Sequence, residues 1–239
     1  FSLSDIFRGN EFVFLKDRLL YRRKLRILFT KRPGFEDEIS KAFRHTRHKI
    51  TFAAFSSANI SNANLVVPLS ISDLKYLNEV SHLVAENFIP IPNVDSITLC
   101  DDKFIFNQAM VANGFAPYLP KVGKALSYPY ILKKRIDDSS NNIHIISNSE
   151  QEQSLKDLIS SQEYYCQEMI YGSREFATHI LIKDRKITHA LNIEYVFNTD
   201  LPIKGRDKEC YRKISRCPYL DIFASMLVAL DFEGICCVN

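Results

Sequence analysis

Lys133 ends an apolar run, Tyr130, Ile131 and Leu132, and is followed at once by the polar stretch KRIDDSSNN. An ammonium at a strand end, beside hydroxyls and the N–H groups of a loop, suits a polyphosphate. Lysine supplies a point charge, and Ser139 and Ser140 supply hydrogen-bond donors. An ordinary charged sheet edge and turn has the same spacing. The second cluster is CQEMIYGSREF, in which Gln167 and Glu168 precede Met169, Ile170 and a Gly turn before Glu175 opens a new strand. Exposed backbone along such a stretch can bond the edge of a planar heterocycle, and Glu175 can take a pair of ribose hydroxyls. Without such a ligand the segment is a polar hairpin.

Two histidines lie on the hairpin that follows. His179 falls at alternate positions with Ala177 and Glu175, which places all three on one strand face where the imidazole can meet a substrate carboxylate; a partly buried structural role is the commoner one for a lone histidine. His189 lies on the returning strand. Cysteines 100, 166, 210, 217, 236 and 237 form no CxxC pair and sit mostly among apolar residues. They read as reduced, buried thiols, with Cys236 and Cys237 packing in a terminal strand.

These side chains are carried by a chain of 239 residues, 46% hydrophobic and 25% charged, which has the material for a core and fits one large or two small domains. The 31 Lys and Arg against 28 Asp and Glu leave +3, too little to imply nucleic acid or a membrane on charge alone, so any anion must be met locally. No apolar run approaches the roughly 18 residues of a membrane span, and the opening FSLSDIFRGNEF is charged where a secretion signal is apolar. A soluble, cytoplasmic protein is the expectation.

Residues 25 to 99 alternate short apolar runs with helical patterns. LRILFT, KITFAAF, LVVPL and FIPI read as strands, and Phe35 to His48 and Ser72 to Glu86 as helices, which predicts a small, mostly parallel sheet. The turn after the first strand, FTKRPGF, has one Gly and no dinucleotide fingerprint. Asp101 or Asp102 then caps a helix that ends at Asn113-Gly114. Strands are predicted at 128–135, 142–147, 164–170, 175–197 with a turn at 183–185, and in GICCVN; helices are predicted at about 149–160 and 219–230, and a loop at 198–218. The second part is therefore α+β with antiparallel hairpins, unlike the α/β first part.

Taken in order, DDKFIFNQAMVANGFAP, YPYILKKRIDDSSNN, QEMIYGSREF and FEGICCVN resemble the ATP-grasp superfamily. The resemblance covers residues 101 to 239, and residues 25 to 99 look like the small α/β domain that precedes it in that superfamily. It implies an N-terminal extension (1–24), a pre-ATP-grasp domain (25–99) and a two-lobed ATP-grasp domain (100–239) that cradles ATP. By this likeness Lys103 and Lys133 hold the phosphates and Ser139 and Ser140 fold over them. Gln167, Glu168, Met169 and Ile170 form the adenine hinge, Glu175 takes the ribose, and Lys204 carries a cation toward the terminal phosphate. Asn239 matches the first magnesium ligand.

Two departures accompany the resemblance. Asn141 and Asn142 stand where glycines are usual in the phosphate loop; Asn tolerates left-handed backbone better than most residues. The Glu-x-Asn magnesium pair and the N-P-R arginine would lie beyond Asn239, so the natural protein is expected to be longer or to carry a disordered tail. The implied activity is ligation through an acyl phosphate: ATP and magnesium as cofactors, a small-molecule carboxylate and an amine or thiol as partners, no nucleic acid, no membrane, and a homodimer allowed. The alternatives are a nucleotide-binding module or degenerate non-catalytic relative, and an ATP-dependent phosphotransferase.

Overall fold

The computed structural model describes residues 24–84, 89–137, 142–203 and 206–239. Residues 1–23, Ser139, Ser140, Asn141 and Lys204 lie outside the described residues, and with them the readings placed there. The chain divides into two compact units, Phe1–Val94 and Asp95–Asn239.

In the first unit, β1 (Arg26–Phe29), β2 (Lys49–Phe52) and β3 (Leu65–Val67) form a parallel sheet in the order β2-β1-β3. The central strand β1 is buried from Ile27 to Phe29, as its unbroken apolar run requires. Leu28 joins Ile60, Ala63, Val66 and Leu77 in one core, while Phe29 meets the rings of Phe43 and Phe52 at 6.1 and 5.8 Å. The helix expected over 35–48 is shorter, α1 (Glu36–Phe43), because the Phe43 carbonyl accepts both the Thr46 N–H and its hydroxyl and closes the last turn. A helix not expected, α2 (Ser57–Ser61), starts where the Ser56 hydroxyl caps the Asn59 N–H. Next comes α3 (Ile71–Val84), whose Asp73 carboxylate accepts the Leu69 N–H and the Thr30 hydroxyl. The strand expected at FIPI is absent from 89–91, where Pro90 removes a ladder donor; Phe88 lies outside the described residues.

Helix α4 (Val94–Asp101), also missed in sequence, is tied down by a hydrogen bond from the buried Ser96 hydroxyl to the Leu230 carbonyl. It leads into α5 (Lys103–Ala112), capped by Asp102 and closed at Gly114, whose φ of +87° only glycine adopts without strain. The antiparallel sheet β5-β4-β6 follows, made of β4 (Tyr130–Lys134), β5 (Ile143–Ile146) and β6 (Tyr164–Glu168). Tyr130, Leu132, Ile146 and Cys166 form its core under α6 (Ser149–Ser154) and α7 (Lys156–Ser160), two helices divided at Leu155 where one was expected.

The larger antiparallel sheet runs β10-β7-β8-β9, from β7 (Arg174–Lys183), β8 (Lys186–Val196), β9 (Tyr211–Ser215) and β10 (Gly234–Val238). Its Ile180 and Ile182 pack on Met110 of α5 and on Met226 and Leu227 of α8 (Leu220–Ala229). Strand β9 corrects the loop reading of 198–218. Its residues Tyr211 to Ile214 are all exposed, so no alternation marks them, and the strand is held by backbone pairing to β8. Arg212 and Lys213 give it the charge that protects sheet edges. Among the described residues, no helix is long and apolar enough to cross a membrane.

Candidate functional site

Strand alternation separates Leu132, which is fully buried in the core of the small sheet, from Lys133, which emerges on the opposite face. On that face the Lys133 ammonium donates to Gln167 Oε1 at 3.3 Å. Burial, and then the Lys103 ammonium beside it, hold Lys133 below the ordinary lysine value, with Glu175 pulling the other way. Lys103 and Glu175 thus both act on Lys133, although the three come from a helix start, a small-sheet strand and the first strand of the large sheet. Two ammonium groups beside one carboxylate make a locally positive site in a protein of nearly balanced charge. Such a site can hold phosphates by charge while a carboxylate takes hydroxyls.

Lys103 is held in place by a latch around the start of α5. Its Nζ donates to the Asp137 carbonyl at 2.7 Å, and its N–H to the Arg135 carbonyl at 3.0 Å. Asp102 caps the helix through the Phe104 and Ile105 N–H groups, and Arg135 reaches the same carboxylate with Nη2 at 2.6 Å and Nε at 3.0 Å. Burial alone would raise the Asp102 pKa; the Arg135 and helix N–H bonds outweigh it and leave the carboxyl below its usual range. The Arg135 guanidinium also lies 5.1 Å from the Phe104 ring centroid. Asp137 in turn accepts the backbone and side-chain N–H groups of Asn142. Sequence reading found the Asp102 cap and missed Arg135 and Asp137, because nothing local ties those residues to the helix start.

Glu168 ends β6 with its carboxylate on the Lys121 N–H at 2.7 Å, while its own N–H donates to the Lys121 carbonyl. Its side chain is therefore occupied within the fold. Ile170 and Tyr171 are 62% and 59% exposed, a pair of apolar faces open to a ligand. On the large sheet, Glu175 stands opposite Tyr195, and His179 stands between Leu191 and Cys237. His179 is exposed rather than partly buried, and so are His189 and Cys237, which corrects the packing role read for that cysteine. Cys236 keeps that role, its thiol pushed up to about 12 by burial.

Asn239 follows β10 and accepts from the Cys237 thiol at 3.5 Å. Magnesium prefers hard oxygen ligands in octahedral array, anchored by carboxylates. One neutral amide oxygen already bonded to a thiol is not such a set, and among the described residues no group of three His, Cys, Asp or Glu is placed to hold a metal. The described donors do not fit a magnesium ion.

No protein-family model matches the sequence. No curated protein matches it either. The fold does match solved structures. VanG D-Ala:D-Ser ligase from Enterococcus faecalis superposes with a TM-score of 0.60 at 15% identity, over 90% of this chain and 85% of that one. D-alanine–D-alanine ligase from Bacillus anthracis gives 0.58 at 11% identity over 89% and 80%. The chain has the ATP-grasp fold. A third ATP-grasp neighbour, L-amino acid ligase from Bacillus licheniformis, gives 0.59 at 12% identity over 89% of this chain and 62% of that one. At these identities the likeness concerns the fold, and it covers a small and a large antiparallel sheet in one unit.

Proposed function

We propose that this protein is an ATP-dependent ligase that activates a carboxylate as an acyl phosphate for attack by an amine or thiol. The interaction of Lys103, Lys133 and Glu175 within an ATP-grasp fold carries this reading. The names of the solved neighbours support it, since they include ligases of D-alanine, D-serine and L-amino acids. Lys103 and Lys133 hold the ATP phosphates, the backbone of Met169 and Ile170 meets adenine, and Glu175 accepts the ribose hydroxyls.

The carboxylate oxygen attacks the terminal phosphorus, the bond from that phosphorus to its bridging oxygen breaks, and ADP leaves with the electron pair. The amine or thiol then attacks the acyl carbon, expels phosphate and loses its proton. Lys133 and Lys103 lower the barrier of the first step by facing the charge that spreads over the transferred group.

The test is ADP release with ATP and magnesium, screened over amino acids and dipeptides as carboxylate and amine. Release that requires one amino acid, and is lost in Lys133→Ala, is the expected outcome. The second reading is a nucleotide-binding module; tight ATP binding with no amino-acid-dependent ADP release in the full-length protein assigns that role instead. Glu175 is tested separately: Glu175→Gln is expected to weaken ATP binding much more than binding of a 2′,3′-dideoxy analogue, which lacks the hydroxyls. Equal losses for both ligands would give Glu175 a structural role.

A further inference from the structure

The first unit carries a concentration of positive charge that the nucleotide reading does not use. No Asp or Glu occurs between Glu38 and Asp73, while Arg44, Arg47 and Lys49 do, together with His45 and His48. The chain brings this basic segment to the start of β1, where Lys24 and Arg26 stand: the Lys49 N–H donates to the Leu25 carbonyl at 2.8 Å, and the Leu25 N–H to His48 Nδ1 at 3.3 Å.

Arg26 and Lys49 are direct register partners across β1 and β2 and share one face of the sheet. Neighbouring strands are about 4.8 Å apart, and like charges placed directly opposite destabilise a sheet. Among the described residues neither side chain makes an ion pair that would offset this repulsion. The Arg26 guanidinium is oriented by its Nε, which donates to the Asn62 carbonyl, and its two Nη groups make no hydrogen bond among the described residues. Both cations line a concavity of about 170 Å³ whose other polar walls are Thr51, Asn59 and Asn62. That volume is below the roughly 300 Å³ at which pockets begin to take drug-sized molecules, and it suits a small anion.

We propose that Arg26 and Lys49 bind a phosphate-class dianion on the first unit. Arginine offers two parallel N–H donors to two oxygens, lysine adds a point charge, and Thr51 gives a hydroxyl donor. The anion removes the cross-strand repulsion, so binding and sheet stability are linked.

Thermal unfolding tests this in buffer free of oxyanions, with inorganic phosphate added against sodium chloride at equal ionic strength. The wild-type melting temperature is expected to rise with phosphate and not with chloride. The phosphate affinity read from that rise is expected to fall at least tenfold in Arg26→Gln/Lys49→Gln and to persist in Lys133→Ala and in the surface control Lys41→Gln. Without phosphate the double variant is expected to melt no lower than wild type, because the repulsion is gone. Lys49→Gln alone, on an exposed side chain, with phosphorus-31 line broadening of inorganic phosphate as readout, keeps the test decisive if the double variant does not fold. Glycerol phosphate binding as tightly as inorganic phosphate identifies the natural source as a phosphoryl group on a larger molecule; inorganic phosphate alone identifies a free ion. An equal phosphate increment in the double variant, or its loss in Lys133→Ala, overturns the proposal. So does a single-stranded RNA oligonucleotide that stabilises the protein where phosphate does not.

Discussion

Lys133 is the residue on which the nucleotide reading depends most. An ammonium kept below its ordinary pKa by burial and by a second ammonium is costly to charge, and a bound polyphosphate reverses that cost by supplying the missing counter-charge. Lys133→Ala is expected to weaken ATP binding at least tenfold, about 1.4 kcal/mol, measured by calorimetry with the fold checked by circular dichroism. The pH dependence has a definite sign. The charged form binds, so ATP affinity is present below the lowered folded-state pKa and is lost as pH rises through it, before the ordinary value of 10.5 is reached. Lys133→Arg stays charged throughout and is expected to remove that fall; a variant that retains it would show that another group titrates.

At the scale of elements, the start of α5 and the end of β4 are one mechanical piece, joined by Asp102 and Arg135, whose side chains are 14% and 27% exposed. Asp102→Ala removes a helix cap and a partly sheltered ion pair together and is expected to destabilise the protein by about 1–3 kcal/mol in urea unfolding. Asp102→Asn keeps the cap and should cost less. Because the folded-state pKa of Asp102 is depressed, the ion pair's stability is present above the ordinary carboxylate value and is lost as pH falls through the folded value. The gap between wild type and Asp102→Asn should therefore close in acid; a gap that stays constant would mean that the carboxylate charge contributes nothing. Leu132, fully buried beside Lys133, anchors the strand itself, and Leu132→Ala is expected to cost about 2–5 kcal/mol through the cavity it leaves.

For the whole molecule, the two compact units separate the expectations. All the residues proposed to hold the nucleotide that the structure describes fall in Asp95–Asn239, whereas Leu77 sits in the core of the first unit with Leu28, Ile60, Ala63 and Val66. Leu77→Ala is expected to cost the first unit about 2–5 kcal/mol and to leave the ATP dissociation constant within about threefold. Limited proteolysis and calorimetry on the same sample check both halves. A large loss of ATP affinity would show that residues before 95 take part in the nucleotide site.

Much of the architecture is written in local pattern. The apolar run around Leu28, the Asp102 cap, the Gly114 stop and the turn at Asp184 and Arg185 each depend on residues a few positions apart, so periodicity and turn chemistry suffice to find them. The order of lysine strand, Gly-containing turn and glutamate is likewise present in the sequence itself. Strand β9 is not legible, because an edge strand with every side chain but one exposed is formed by backbone pairing to β8, and backbone pairing leaves no mark on side-chain pattern. The same holds for the Arg135 latch, for the exposure of Cys237 and His179, and for the register that sets Arg26 against Lys49. Sequence alone determined which residues could bind phosphate and in what order they come. Tertiary structure decided which of them interact, since the approach of Lys103, Lys133 and Glu175 depends on sheet pairing and helix docking among residues far apart in the chain.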